Sequence, residues 1–202
     1  MQAPLQRFVA PSTRQGRMRA RAVSFVALTL LAGDMVRGQT TADEPAVAIG
    51  REGRAYTVTA RFEVPHAVSI VFDVLSDYED IPRFMPDIKK SVVHERTGRR
   101  TIVEQEAVSR VMLFSKRVYL MLEVHRTADA LRFRDVSARS FHQYEGSWLV
   151  SRQGPHTIID YRLAADPSFS VPAFLIRRLL ERDALETIER LSAEMAARAA
   201  LP

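Results

Sequence analysis

The sequence predicts an α+β domain in which a curved sheet of seven antiparallel strands packs against one long C-terminal helix. Three observations carry this prediction. Between residues 88 and 166, segments with period-two alternation of apolar and polar residues follow one another across short turns, which is typical of an antiparallel meander. Two short helical patterns interrupt the strands once, after the first of them. The last part of the chain has an apolar stripe at helical spacing.

The first predicted elements are one strand and two short helices. AYTVTARFEV (55–64) alternates with period two and ends at Pro65, so it predicts a half-buried strand. HAVSIVFDVL (66–75) has apolar residues at 68, 71, 72 and 75, the spacing of a helix. A second, shorter helix is expected to follow, with Asp77 as its cap, Asp80 completing a capping-box-like pair, and Pro86 as its end.

Six further strands are predicted before the final helix. They occupy 88–96, 100–110, 111–126, 130–137, 140–152 and 156–166, and the third of them is expected to bulge near Ser115. The fifth contains YEGSW (144–148), with the only tryptophan of the chain. A glycine weakens a strand, so Gly146 is expected to allow a bend or the close approach of the helix or a ligand.

The C-terminal helix is predicted to begin after Val171, with Pro172 in its first turn. Its apolar stripe consists of Ile176, Leu180, Ala184, Thr187 or Ile188, Leu191 and Met195, and charged residues such as Glu194 are placed on the other faces. The predicted order is therefore β-α-α-β6-α. A curved sheet of seven strands has a concave face too wide for its own side chains to fill. The gap between sheet and helix is then a pocket for an apolar ligand.

The N-terminal segment has the features of a secretory signal peptide. RQGRMRAR (14–21) is basic, AVSFVALTLLAG (22–33) is apolar, and small residues follow at 36 and 38. We expect a signal peptide over 1–38, translated from Met1 or Met18, then a linker over 39–53 and one domain over 54–198. The protein is then exported, to the periplasm or beyond the cell. An arginine-rich transit peptide or a basic tail is the alternative, and without export the protein is cytoplasmic.

The composition of the chain excludes several kinds of site and partner. There are no cysteines, which excludes disulfides, a thiolate nucleophile and zinc–thiolate sites. Residues 1–38 hold six arginines and one acidic residue, which leaves 23 basic and 23 acidic side chains in 39–202. A nucleic-acid-binding domain would keep a positive field of its own, so nucleic acid is not an expected partner. The five histidines lie apart from one another, and neither a metal nor a cofactor is expected.

Three segments resemble one known superfamily. They are VFDVLSDYEDIPRFMPDI (71–88), YEGSWLV (144–150) and DYRLAADPSFSVPAFLIRRLLERD (160–183). Together with the order of elements, they are similar to the START-like helix-grip superfamily, which includes polyketide cyclases/dehydrases and coenzyme Q-binding proteins. The resemblance covers residues 55–198 and is strongest to the bacterial coenzyme Q-binding group. It implies a helix-grip fold with a cavity for a hydrophobic molecule. Fold alone does not imply a reaction.

Candidate ligand-binding residues come from inward-facing positions and from the expected cavity entrance. They are Phe84, Met85, Leu120, Leu122, His142, Tyr144, Trp148, Phe174 and Leu180. For each of them, packing in the core is the alternative to ligand contact. On the YEGSW strand, period-two alternation places His142 on the same inward face as Tyr144 and Trp148.

Three functions remain open. The first is non-catalytic binding or carriage of a lipid, quinone or polyketide-like molecule, with peripheral contact to a membrane as a further possible interaction. The second is an enzyme, a polyketide cyclase/dehydratase that uses acid/base chemistry of His142 with Tyr144 or Tyr161. The third resembles the ribosome-associated toxins of the superfamily, and the neutral charge of 39–202 disfavours it.

Overall fold

The computed structural model describes residues 45–111, 114–170 and 172–201. The first helices and strands are β1 (Ala46–Glu52), β2 (Ala55–Val64), α1 (Val68–Ser76) and α2 (Ile81–Phe84). The remaining strands are β3 (Ile88–Thr97), β4 (Arg100–Val111), β5 (Phe114–Arg126), β6 (Ala130–Asp135), β7 (Phe141–Gln153) and β8 (His156–Pro167). Helix α3 (Ala173–Ala199) ends the chain. The signal peptide expected over 1–38 lies outside the described residues.

The α+β class is confirmed, but the described residues form eight strands where seven were expected. The additional strand is β1, which lies in the segment expected to be a linker over 39–53. It forms a hairpin with β2, in register from Ala46 opposite Arg61 to Glu52 opposite Ala55. Val47 and Ile49 pack against the core from alternate positions. Short alanine and glycine side chains hid this alternation, because these residues have low strand propensity.

All eight strands pair antiparallel, in the order β1-β2-β8-β7-β6-β5-β4-β3. Strands β2 and β4 are five positions apart, which would separate them by about 24 Å in a flat sheet. Val58 of β2 and Gln105 of β4 nevertheless line the same cavity. The sheet must therefore curve strongly, as the resemblance implied.

Helix α3 contacts β1, β2, α1 and α2, and its apolar stripe faces inward. The predicted stripe is largely confirmed, since Ile176, Ala184, Ile188, Leu191 and Met195 are buried. Glu194 was expected on an outer face and is instead buried with them. Its carboxylate accepts hydrogen bonds from two arginines, which is how a charge is tolerated at this position.

Two strand irregularities differ from the prediction. The pairing of β4 with β5 is unbroken from Arg100 opposite His125 to Val111 opposite Phe114, so there is no bulge near Ser115. Instead, β7 has a register shift against β8 between Phe141 and Gln143. An extra residue in one strand reverses which side chains face inward on either side of the bulge.

The capping prediction for α2 is wrong. Asp77 lies at the C-terminal end of α1 and Asp80 at the N-terminal end of α2, and neither carboxylate caps a helix. Both bind arginines instead: Asp80 pairs with Arg83, and both aspartates pair with Arg198 of α3. The sequence pattern assigned these two carboxylates to backbone amides at a helix end, but the long arginine side chains bind them instead.

Among the described helices, none is long and apolar enough to cross a membrane.

Candidate ligand-binding cavity

A cavity of about 280 Å³ lies between the sheet and helix α3. Its sheet wall comes from alternate residues of several strands, because side chains one residue apart point to opposite faces. The apolar part of this wall consists of Val58, Ala107, Val118, Leu120, Leu163 and Ala165. On the helix side, Ile176, Leu179, Leu180 and Ala184 recur at helical spacing. The cavity is therefore mainly apolar.

Two tyrosine hydroxyls provide polar groups in this apolar wall. Tyr144 belongs to β7 and Tyr161 to β8, and both side chains line the cavity. Burial raises the pKa of Tyr144 to about 12, with the Asp135 and Asp183 carboxylates adding to the shift. Burial also raises the pKa of Tyr161 well above its usual value, and Tyr144 and Asp183 add to the effect. Both hydroxyls therefore keep their protons at neutral pH and can donate hydrogen bonds.

One carboxylate reaches the cavity from the helix side. Asp183 of α3 is partly buried among the lining residues. Burial raises the pKa of its carboxyl, and the hydrogen bond from Arg182 opposes the shift. The Arg182 guanidinium donates to Asp183 Oδ1 from Nη2 at 2.7 Å. Asp183 is therefore a carboxylate that already has a partner.

The remaining charged residues that line the cavity are of both signs. Among the described lining residues, the basic ones are Lys116, Arg182 and Arg190, and the acidic ones are Asp87, Asp183 and Glu186. Arg190 pairs with Glu186 on the same helix. The Lys116 ammonium lies 5.2 Å from the centre of the Phe169 ring, another lining residue. Period-two alternation puts Lys116 on the inner face of β5 with Val118 and Leu120.

Four of the nine candidate residues line the cavity: Met85, Leu120, Tyr144 and Leu180. Leu120 lies on the inner face of β5 and Leu180 on the inner stripe of α3. Met85 follows α2 directly, so it reaches the cavity from the short helical segment, as expected. The structure thus brings together residues from four separate parts of the sequence.

Three other candidates belong to the surrounding core. Leu122 is buried, and Phe84 and Trp148 are partly buried against the core. Trp148 stacks on Tyr161, with ring centroids 4.0 Å apart and an interplanar angle of 22°. Trp148 therefore supports a cavity residue without lining the cavity itself.

His142 and Phe174 do not line the cavity. His142 is exposed because the bulge after Phe141 turns it away from the face shared by Tyr144 and Trp148. Phe174 is 66% exposed, because it lies on the α3 face opposite Ile176. Phe141, which alternation placed outward, lines the cavity and packs on Tyr144 at 4.8 Å between ring centroids.

Sequence reasoning missed Asp183 and Gln105 as cavity residues. Asp183 precedes Ala184 of the apolar stripe and was not assigned to any face, although it lies seven residues after Ile176, two helical turns along the same face. Gln105 is buried on β4, and its amide donates to Ser91 Oγ at 3.2 Å. The seven-residue spacing between Ile176 and Asp183 was the signal that could have identified Asp183 from the sequence. No group of three or more metal-ligating side chains occurs among the described residues.

A family model described as "Polyketide cyclase / dehydrase and lipid transport" matches residues 64–192, which include strands β3 to β8 and most of α3. The chain belongs to this family. The family membership and the fold confirm the resemblance to the START-like superfamily that the sequence showed. The comparisons do not single out the coenzyme Q-binding group.

Solved structures in this superfamily share the fold at low sequence identity. A START superfamily protein from Mycobacterium smegmatis is 18% identical, with 70% of this chain and 97% of that chain covered and a TM-score of 0.61. The STAR-related lipid transfer protein of Xanthomonas axonopodis is 17% identical, with 77% and 95% covered and a TM-score of 0.63. An aromatase/cyclase from a Streptomyces species is 13% identical, with 71% and 94% covered and a TM-score of 0.61. A search of curated proteins by sequence found no match.

Proposed function

We propose that this protein binds and carries one small apolar molecule in the cavity between the sheet and α3. The observation that carries the proposal is the cavity itself: about 280 Å³, with mainly aliphatic and aromatic walls and only a few polar groups. Ligand sites generally combine an apolar lining with a few polar groups that orient the ligand. Each Å² of apolar ligand surface that leaves water contributes about 25 cal/mol.

The volume of the cavity limits the size of the ligand that it can hold. Small-molecule pockets have volumes of about 300–1,000 Å³, so this cavity, at about 280 Å³, is slightly smaller than that range. A molecule of one or two rings, or one short chain, matches it better than a lipid with two long chains. Solved structures with this fold include a lipid transfer protein and an aromatase/cyclase, and both descriptions are compatible with a hydrophobic ligand.

The second candidate function is a cyclase or dehydratase. It is favoured by Tyr144, Tyr161 and Asp183, which bring hydroxyl and carboxyl groups to one apolar cavity. The exposed position of His142 removes the histidine that the sequence interpretation had assigned to this chemistry. Asp183 takes its place as the base, with a tyrosine as the acid.

Native mass spectrometry of the protein, isolated by mild extraction from the cell that produces it, tests carriage. We expect a co-purifying apolar molecule in the wild type and its loss in Ala165→Phe, which fills the cavity. Ala164→Phe is the matched control, because Ala164 precedes Ala165 on the same strand and points to the other face. Leu180→Trp provides a second way to fill the cavity if Ala165→Phe does not fold.

Two results would contradict carriage: wild-type protein that is repeatedly empty, or the same molecule retained in both cavity-filling variants. The enzyme candidate predicts a different pattern. Asp183→Asn would then abolish turnover of a poly-β-ketone substrate while leaving its affinity unchanged. Equal turnover in this variant and the wild type would remove the enzyme candidate.

A further inference from the structure

Among the residues that the structure describes, the hydroxyls of Tyr144 and Tyr161 have no hydrogen-bond partner, although both side chains line a mainly apolar cavity. Tyr161 is only 9% exposed. Buried polar side chains are nearly always hydrogen-bonded, so an unpaired hydroxyl facing a cavity indicates a ligand group. Among the described residues, the one side-chain atom that is both sealed and unpaired is Nδ1 of His156. Both tyrosine oxygens are therefore accessible from the cavity.

We infer that the ligand of this cavity carries a neutral oxygen group, a carbonyl or a hydroxyl, that accepts a hydrogen bond from Tyr144 or Tyr161. This inference rests on the proposed function and specifies the chemical class of the molecule. The two tyrosines come from neighbouring strands, and the Asp183 carboxylate acts electrostatically on both. The polar end of the ligand thus lies where β7, β8 and α3 meet.

The charges around the cavity disfavour an ionic ligand group. The described lining residues include three basic and three acidic side chains, so the lining has no net charge that would attract an ion of either sign. A ligand carboxylate near the tyrosines would be repelled by Asp183. A ligand ammonium would have to displace Arg182, which already donates to Asp183 at 2.7 Å. A neutral oxygen group is not repelled by Asp183 and does not have to displace Arg182.

The protonation state of the tyrosines agrees with this class of ligand. Burial holds the pKa of Tyr144 at about 12 and that of Tyr161 well above its usual value, so both remain donors across the physiological range. A neutral carbonyl has only acceptor lone pairs, which two phenol donors satisfy. Trp148, stacked on Tyr161 at 4.0 Å, keeps that ring in place.

Isothermal titration calorimetry with four probes of equal chain length tests the inference: decan-2-one, decanoate, decylammonium and decane. We expect decan-2-one to bind the full-length protein more tightly than the other three. Tyr144→Phe and Tyr161→Phe should each weaken decan-2-one binding roughly five- to tenfold, the effect of one hydrogen bond. They should leave decane binding unchanged. Fluorescence of Trp148, the only tryptophan of the chain, gives a second readout.

Tyr119→Phe is the matched control. Tyr119 lies between Val118 and Leu120 on β5 and therefore faces the other side of the sheet, where Arg139 covers its ring at 3.8 Å. This variant should bind decan-2-one as the wild type does. Equal affinity for decanoate or decylammonium, or unchanged decan-2-one affinity in both cavity tyrosine variants, would overturn the inference and leave carriage standing. If no probe binds, decane included, the proposed function fails as well.

Discussion

Gly146 shows how one residue shapes the inner face of the sheet. A Cβ atom at this position would lie 2.3 Å from the Arg162 carbonyl oxygen and 2.5 Å from Cζ of Phe133. Gly146 pairs with Phe133 on β6 and with Leu163 on β8, so all three share a face. The glycine makes room for an aromatic ring of the neighbouring strand. The sequence interpretation expected a bend, or the approach of the helix or a ligand, and it did not consider this packing.

We expect Gly146→Ala to lower the free energy of unfolding by about 1–3 kcal/mol, because an added methyl group overpacks a filled space. Urea unfolding followed by Trp148 fluorescence measures the change. Ser147→Ala is the control, since it alters the next residue on the opposite face and should change stability by less than about 0.5 kcal/mol. A Gly146→Ala protein as stable as the control would show that both the Phe133 ring and the β8 backbone at Arg162 can move aside.

Glu123 is a buried carboxylate on the outer face of the sheet, and it pairs with two arginines. It is 8% exposed, and its carboxylate is 2.6 Å from Nε of Arg100 and 2.6 Å from Nη2 of Arg134. Hydrogen bonds from these two arginines lower the pKa of Glu123 to about 2. Three neighbouring strands, β4, β5 and β6, are thereby joined by one carboxylate.

The lowered pKa gives Glu123→Gln a pH-dependent effect. Because the pKa of the folded state is below the ordinary value of 4.5, the stabilisation is complete above that pH and is lost as the pH falls toward about 2. The variant should therefore be less stable than wild type at pH 7, and the difference should shrink steadily between pH 4.5 and 2.

Urea unfolding at a series of pH values measures this difference. Arg132→Gln is the control, because it removes an exposed charge from the same face of the sheet. It should leave the pH dependence of the wild type intact. A stability difference between Glu123→Gln and wild type that is constant from pH 7 to pH 2 would contradict the assignment.

At the scale of elements, a network of charged residues joins the end of α3 to the segment between α1 and α2. Buried Glu194 accepts hydrogen bonds from Arg83 of α2 and, at 2.7 Å, from Nε of Arg198. Arg198 also donates to Asp77 Oδ2 at 2.9 Å. Met85, which lines the cavity, comes directly after α2. The network therefore holds one wall of the cavity against the long helix.

Glu194→Gln should lower the free energy of unfolding by about 1–3 kcal/mol, the range for a lost hydrogen bond to a charged group. Differential scanning calorimetry can measure the loss. Glu189→Gln, an exposed position on the same helix, should change stability by less than about 0.5 kcal/mol. If the two variants unfold alike, the carboxylate of Glu194 does not stabilise the junction of α3 with α2.

The bulge in β7 is the element that selects the cavity residues. It places Phe141 and Tyr144 on the inner face, although they are three positions apart and strict alternation would put them on opposite faces. His142 and Gln143 both become exposed as a result. A bulge is an extra residue in one strand of a pair, so it depends on pairing with β8 and cannot be read from β7 alone.

At the scale of the whole molecule, the export prediction concerns residues 1–38, outside the described part of the chain. We expect the mature protein to begin after Gly38, because small residues precede this position and a basic and an apolar segment precede them. N-terminal sequencing of protein isolated from the producing cell tests this. A mature chain that still begins at Met1 or Met18 would rule out cleavage.

Much of the fold could be predicted from local patterns. The apolar stripe of α3 and the inner face of β5, with Leu120 and Leu122, follow from the repeats of 3.6 and 2 residues that helix and strand geometry impose. The first strand was missed because alanine and glycine at 46–50 make its alternation weak. Five of the nine candidate residues do not line the cavity, since whether an inward residue lines a cavity or packs in the core depends on residues distant in sequence.

The sequence by itself determined the α+β class, the order of β2 through α3, the family and the apolar character of the space under the helix. The class, the order and the apolar character follow from hydrophobic periodicity and short connections, which act within a few residues of the chain, whereas the family follows from the resemblance carried by residues 71–88, 144–150 and 160–183. Only the tertiary structure decided that Tyr144, Tyr161 and Asp183 line one cavity, that His142 faces outward, and that Glu194 is buried. The physical reason is that sheet curvature, the register of β7 against β8, and pairing between distant charges arise from contacts that no local pattern contains.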